Sequence, residues 1–306
     1  METILITGGT GFIGTALTEL LTEKGYRVII LSRKPRPAQG NISYATWNPK
    51  TGEIDRKAVE ASDHIIHLAG ANVGDKRWTD KRKKEIVDSR VDSGRVLVKA
   101  LQEIPNRVRT VISASGIGWY GPDEPKSRRA FVESDPAFSD FLGTTCTLWE
   151  ETIKPVASLG IRMVILRTAI VLSNQGGAFP EFVKPMNAGV AGILGSGDQV
   201  ISWIHIADIT RLYLEAIVNE TYKGVYNAAA PEYLTNKEFT LRIARARKRP
   251  FIPVHVPVFA LKIWLGEMSI EVLKSATVDI TKLRQAGFRF LYPGIDAALN
   301  VLIGAH

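Results

Sequence analysis

The chain has 306 residues, 45% hydrophobic and 23% charged, and its 39 Lys and Arg against 31 Asp and Glu leave a net charge of +8. That length suits two units, or one large α/β domain with a cap, around a sizeable core, and the composition excludes intrinsic disorder and collagen-like repeats. No stretch approaches the roughly 18–20 apolar residues of a membrane span, and a single cysteine, Cys146, excludes an intramolecular disulfide and a cysteine-based metal site.

Met1 to Thr7 run directly into a strand-like stretch with no basic region or cleavage site, so no secretory signal is expected and a reducing, cytoplasmic compartment is the default. Thr3–Thr7 reads as a strand, Phe12–Lys24 as a helix with Gly25 at its C-cap, and Arg27–Ser32 as the next strand. Short apolar runs at His64–Leu68, Thr110–Ala114 and Arg162–Leu166 suit strands covered on both faces. Helical patterns at about Thr79–Glu103 and Ser139–Leu159 alternate with them. This alternation predicts an α/β fold, a Rossmann-type doubly wound parallel sheet. Residues 173–198, rich in Gly and Pro, read as a long loop region with at most short helices. Asp208–Val218 then reads as a helix, Gly224–Ala228 as one more strand, and Thr235–Ala305 as mostly helical around a Pro-rich stretch at 250–257. The expected partition is a nucleotide-binding domain of residues 1–168 plus about 200–230. A smaller, mostly helical cap takes about 169–199 plus 231–306.

The most informative stretch is Thr7–Gly14, TGGTGFIG, in which Gly9, Gly11 and Gly14 satisfy G-x-G-x-x-G, and Gly8, Gly11 and Gly14 satisfy G-x-x-G-x-x-G. It follows a strand and opens a helix, the context in which such a loop holds a dinucleotide. Its glycines permit a tight turn and close approach of backbone to a pyrophosphate, which the positive end of the helix attracts. A glycine-rich turn without a ligand is the plainer alternative. An NAD site places Asp or Glu at the end of the second strand, on the ribose hydroxyls. Ser32, Arg33 and Lys34 stand there instead. Two cations suit a 2′-phosphate, so NADP(H) is favoured over NAD(H), unless they are simply loop charges.

The excess charge invites a nucleic-acid reading, since Lys and Arg on phosphates supply most non-specific affinity. Part of it lies in residues 76–84, KRWTDKRKK, and part in 242–249, RIARARKR. The first run opens a segment in which Ile86, Val87, Val91, Val96, Leu97 and Ala100 form an apolar stripe, which makes its charges the solvated side of an amphipathic helix. No RNP signature, zinc finger or DNA-binding motif accompanies either run. Neither nucleic acid nor a membrane is expected as partner. A small-molecule substrate and a monomer or homodimer are.

TGGTGFIG, HLAGA at His67–Ala71 and SASGIGWYG at Ser113–Gly121 resemble the extended short-chain dehydrogenase/reductase superfamily, which holds sugar-nucleotide epimerases and dehydratases. RWTDKRKKEIVDSRVDSGR (Arg77–Arg95), LRTAIVLSNQGGA (Leu166–Ala178) and LGSGDQVISWIHIAD (Leu194–Asp208) are similar to one atypical branch, the "epimerase family proteins", which carry a small C-terminal domain of unknown function. The resemblance spans essentially the whole chain. It implies that Gly8, Thr10, Gly11, Phe12, Ile13 and Gly14 hold the pyrophosphate, and that Arg33, with Lys34, meets the 2′-phosphate. Leu68, Ala69 and Gly70 would line the adenosine and ribose side, Ser113 and Arg167 would complete the cofactor wall, and Ser115 corresponds to the substrate-orienting serine.

The superfamily's catalytic pair, Y-x-x-x-K, is absent from its place on the following helix. Cys146 stands for the Tyr and Glu150 for the Lys, while the one literal match, Tyr233 to Lys237, lies in the cap region. A Lys stabilises the anion of a neighbouring base, whereas Glu150 beside Cys146 raises the thiol pKa, so Cys146 reads as a packing residue rather than a nucleophile. Tyr120 is the best substitute acid. Trp119 and Tyr120 stack on a nicotinamide or substrate, or pack the domain junction. Trp203 and His205 point to one face of a strand, toward a substrate or as structural residues. Trp78, Arg90 and Arg167 are candidates for an anion-binding or stacking face toward a substrate. No metal ligands are expected. Two functions remain open, an NADP(H)-dependent epimerase or oxidoreductase with non-standard acid–base residues, and a non-catalytic NADP(H)-binding sensor or assembly partner.

Overall fold

The computed structural model describes residues 1–123 and 129–304; Ala305, the last residue of the expected helical stretch, lies outside them. The elements of the first half are β1 (Thr3–Thr7), α1 (Phe12–Glu23), β2 (Arg27–Ser32), β3 (Ile42–Asn48), β4 (Glu53–Ile54), α2 (Arg56–Glu60), β5 (His64–His67), α3 (Asp80–Glu103), β6 (Thr110–Gly116), α4 (Phe141–Ile153) and β7 (Arg162–Thr168). The second half holds β8 (Ile170–Leu172), α5 (Phe179–Val183), β9 (Val190–Leu194), β10 (Val200–Ile201), β11 (Trp203–His205), α6 (Ile206–Val218), β12 (Gly224–Ala228), β13 (Leu234–Thr235), α7 (Asn236–Ala246), β14 (Ile252–Val256), α8 (Val258–Leu265), α9 (Ser269–Leu273), α10 (Thr281–Gln285) and α11 (Ile295–Gly304).

Eight strands form the main sheet in the order β12-β7-β6-β5-β1-β2-β3-β4. All neighbours are parallel except β3 and β4, which form a short antiparallel hairpin at the edge. Successive side chains of a strand face opposite sides, so one strand feeds two cores. Ile4, Ile6, Ile66, Ile112 and Val164 pack beneath α1 and α6, with Leu17, Leu21, Leu212 and Ile217. Leu5, Ile29, Ile65, Val111 and Ile165 pack on the other face, against Val96, Leu97, Ala100 and Leu101 of α3. This is the doubly wound Rossmann-type sheet that the alternating pattern predicts. Its strand order reverses between β1 and β5, where such folds bind ligands at the carboxyl ends of the strands.

Of the α3 stripe, Ile86, Val91, Val96, Leu97 and Ala100 are buried and Val87 is half-buried. The Thr79 hydroxyl caps the helix by accepting from the Arg82 amide. Helices α3 and α4 lie close together, since a Cβ on Gly94 would stand 2.8 Å from Thr152 Cγ2.

A third cluster, around Phe179, Met186, Trp203, Phe239, Ile243, Leu299 and Leu302, gathers α5, α7 and α11 with the short strands. Val278, Ile280, Leu283 and Phe288, though late in the chain, join the core beneath α1 and α6. Two stretches differ from the sequence reading. Residues 173–198 hold the strand β9 besides the short helix α5, and the Pro-rich stretch holds β14, parallel to β9. Proline is confined to sheet edges because it donates no ladder hydrogen bond, and Pro253 sits in such a two-stranded edge.

Candidate cofactor and active site

The loop between β1 and α1 is built so that no side chain fits at Gly8 or Gly14. Gly8 has φ +71°, and a Cβ there would lie 2.8 Å from the Leu68 carbonyl carbon. A Cβ on Gly14 would run into the Gly8 carbonyl oxygen. Helix α1 starts after Gly11 with no side-chain cap and no acidic residue in its first turn. Its amino end therefore offers unshielded positive potential at the switch point of the sheet, which fits a pyrophosphate. Leu68 and Ala69 close the other wall. Their amides donate to Thr7 Oγ1 at 3.2 and 3.1 Å, so the hydroxyl proton of Thr7 goes to His67 Nδ1, 2.8 Å away. His67 is wholly buried, and burial pushes its pKa down to about 4. Arg33 and Lys34 stand exposed just past the end of β2.

Beyond β6 the residues expected to act in catalysis are tied to one another. Ser115 Oγ donates to Glu150 Oε1 at 2.7 Å. Glu150 is itself locked by Arg167, whose Nε and Nη2 meet its two oxygens at 2.8 and 3.0 Å. Both partners are 3% exposed at the side chain, so this is a buried, bidentate pair. The remaining nitrogen, Arg167 Nη1, donates to Tyr120 Oη at 3.0 Å and to the Glu133 carbonyl at 3.1 Å, and the guanidinium lies 3.6 Å from the ring centre of Trp119. All three nitrogens of Arg167 are thus hydrogen-bonded inside the protein.

Tyr120 is sealed from solvent and stacked on Phe131, and its hydroxyl donates to Asn227 Oδ1 at 2.7 Å. Burial raises its pKa to about 12. A substitute acid must present its proton to the ligand; Tyr120 presents it to Asn227. Cys146 is buried as well, with Sγ 3.6 Å from the Gly116 carbonyl oxygen, and burial raises its pKa to about 11, with Glu150 adding to the rise. The thiol is protonated at neutral pH and no nucleophile.

Residues 4–229 match the model of the NAD dependent epimerase/dehydratase family. The chain belongs to that family. Residues 256–302 also match a domain of unknown function, DUF1731. The chain is similar to epimerase family protein YfhF of Bacillus subtilis (strain 168), 36% identical over 303 residues that cover 98% of this chain and 97% of that one. It is 33% identical over 305 residues to the mouse epimerase family protein SDR39U1, covering 98% and 99% of the two chains. The crystal structure of human SDR39U1 with NADPH superposes with a TM-score of 0.88 at 30% identity, over 99% of this chain and 100% of that one. A UDP-glucuronic acid 4-epimerase from Bacillus cereus, at 18% identity and a TM-score of 0.80 over 99% and 98% of the chains, shares the fold.

As a member of the epimerase family the chain is an NAD(P)-binding protein. The other expected residues of this family member are placed as follows. Thr10 and Gly11 are exposed at the loop, with Phe12 and Ile13 half-buried behind them. Ser113 is buried with its hydroxyl on the Ala114 carbonyl, and Gly70 is exposed. Trp78 is buried, its Nε1 bonded to the Val73 carbonyl and its ring edge-on to Phe141 at 4.7 Å. Trp119 donates from Nε1 to the Asp135 carbonyl. Trp203 is fully buried in the third cluster. His205 caps α6 by accepting from the Ala207 amide at 3.1 Å, against the Tyr292 ring, and burial holds its pKa near 4. Trp203 and His205 are packing and capping residues here.

The sequence reading gave the loop after β8 as a loop but not its place against α1. A Cβ on Gly176 would stand 3.1 Å from Phe12 Cβ, so the Gly176–Gly177 pair lets this loop close on the amino end of α1. The adjacent glycines were the available signal. Among the described residues, no cluster of His, Cys, Asp or Glu is placed to hold a metal ion, and no helix is long and apolar enough to cross a membrane.

Proposed function

We propose that this chain binds NADP(H) in preference to NAD(H), in the cytoplasm, as a monomer or homodimer. It acts on a small molecule rather than on nucleic acid or a membrane, and it does so without the Tyr–Lys proton relay of its superfamily. The observation that carries this reading is the state of position 150. The site of the relay lysine holds Glu150, buried and paired with Arg167, and Ser115 is bonded to it. With Cys146 protonated and Tyr120 sealed, a reaction at this site takes its proton from water or from the substrate. Arg33 and Lys34, in place of an acidic residue after β2, support the 2′-phosphate preference. NADPH in the crystal structure of human SDR39U1 supports the same choice.

One observation favours a second reading, a non-catalytic NADP(H) sensor: none of Ser115, Tyr120 and Cys146 holds a proton free for a ligand. Fluorescence titration with NADPH and NADH tests the cofactor. NADPH is expected to bind at least about tenfold more tightly, and Arg33→Ala to erase most of that preference, as loss of a charge-assisted contact does. Equal binding of the two cofactors overturns the assignment. Incubating the NADPH complex with a mixture of metabolites and sugar nucleotides separates the two readings. Cofactor oxidation or an altered product supports turnover, and its absence across the mixture supports the sensor.

A further inference from the structure

The chain holds two arginines that are almost wholly buried beside this site, and they are opposites. Arg167 is bonded to protein acceptors through all three nitrogens and is neutralised by Glu150. Arg90, on α3 and 8% exposed, has no carboxylate within ion-pair distance among the described residues. Its Nη1 donates to the Ala71 and Ile86 carbonyls at 3.0 and 2.9 Å, and its guanidinium lies 4.7 Å from the ring centre of Trp149. Nε and Nη2 make no hydrogen bond among the described residues and, unlike Arg82 Nε, are not sealed from solvent. A buried cation without a partner is costly. Burial brings its pKa down only to about 10, so it keeps its charge at neutral pH.

Its position says what completes it. The guanidinium lies against the loop after β5, where a Cβ on Gly70 would stand 3.0 Å from Arg90 Cζ. The charge of Arg90 also acts directly on Cys146, on α4. A pyrophosphate at the amino end of α1 with the adenosine beyond β2 sends the other half of the dinucleotide over β5 and β6, where Gly70, Ala71 and Gly116 end. We propose that Arg90 is the cofactor-positioning cation of this site, its Nε and Nη2 donating to oxygen atoms of the nicotinamide half of the dinucleotide. It supplies from α3 a positive charge that α4, with Glu150 at the superfamily's lysine position, does not. A side chain at Gly70 would press on the guanidinium, which would have to give by a few tenths of an ångström. The proposal rests on the NADP(H) reading.

Adenosine 2′,5′-bisphosphate carries the adenosine half and its 2′-phosphate but no nicotinamide half, so it separates the contacts. Arg90→Gln is expected to weaken NADPH about tenfold or more, as loss of a charge-assisted pair does. It should leave bisphosphate binding within about twofold, whereas Arg33→Ala weakens both ligands. Arg90→Lys keeps the charge without the fork, so it should recover part of the NADPH affinity. If Arg90→Gln does not fold, as thermal unfolding of the free protein will show, Arg90→Lys carries the test, with a selective loss on NADPH expected. Equal losses on the two ligands, or none on either, overturn the role of Arg90. Wild-type protein that binds neither ligand removes the NADP(H) reading itself, whereas normal NADPH binding insensitive to Arg90 removes only this proposal.

Discussion

Position 150 shows how much one carboxylate fixes. Glu150 neutralises Arg167, receives the Ser115 proton, and so holds α4, β6 and β7 in one arrangement. Glu150→Gln leaves a guanidinium in the interior with no counter-charge, which costs about 3–5 kcal/mol. Urea unfolding should read that loss, and a change below about 1 kcal/mol would show that the pair does not lock the site. Four residues earlier, Cys146 makes a second expectation. With a pKa near 11, about one thiol in a thousand is ionised at pH 8, so iodoacetamide should label Cys146 only after unfolding. Prompt labelling of the folded protein would contradict the burial described here.

At the scale of elements, the wall of the nucleotide groove is held by a relay that crosses three of them. Thr7 at the end of β1 accepts from the amides after β5 and donates a hydrogen bond to His67 Nδ1, while His67 Nε2 faces Ser93 Oγ on α3. This relay requires neutral imidazole. His67 has its pKa depressed from the usual 6.5 to about 4, so the folded chain binds fewer protons than the unfolded one in that window. Stability from this group is complete above about pH 6.5 and is lost as pH falls toward 4, by about 3 kcal/mol in all. His205, held near the same value, acts with the same sign. His64, also depressed by burial, adds to both, so His67→Gln should remove part of the slope of unfolding free energy between pH 6.5 and 4; an unchanged slope would place the titration elsewhere. The glycine loop and the α3 stripe were legible in the sequence because they are local patterns, a turn and a helical period. The relay was not, because Thr7, His67 and Ser93 meet only through strand pairing and helix docking. Tyr120 fails for the same reason, since a sequence does not say whether a hydroxyl faces a ligand or an Asn from β12.

For the molecule as a whole, the C-terminal part is stitched into the nucleotide-binding core. The Phe131 and Asp279 amides exchange hydrogen bonds with the Thr277 and Phe131 carbonyls at 2.8 Å. Asn227 Nδ2 donates to the Asp279 carbonyl, and Asp208 on α6 accepts from the Leu291 and Tyr292 amides. Val278, Ile280 and Leu283 fill space beneath the main sheet. A chain cut after Arg249 uncovers that apolar surface, so it should aggregate or unfold at a much lower temperature. The full chain should unfold in a single transition, coincident by circular dichroism and tryptophan fluorescence. Two separated transitions would mean that the C-terminal part folds alone. The sequence reading placed a boundary near residue 231 from the order of its strand-like and helical stretches, which carries no record of which core a late hydrophobic residue enters.

The Arg167–Glu150 pair also bears on ancestry. A chain that carries Glu150 where its superfamily has the relay lysine does not reach that lysine by one substitution, because Glu150→Lys would set two cations side by side in a dry interior. The return route needs Arg167 to change in company with position 150, and Ser115 and Tyr120 to find new partners. Intermediates along it are unstable whichever change comes first. The pair acts as a ratchet, which leaves evolution at this site free to elaborate other chemistry from α3 and the β5 loop while the older one stays out of mutational reach.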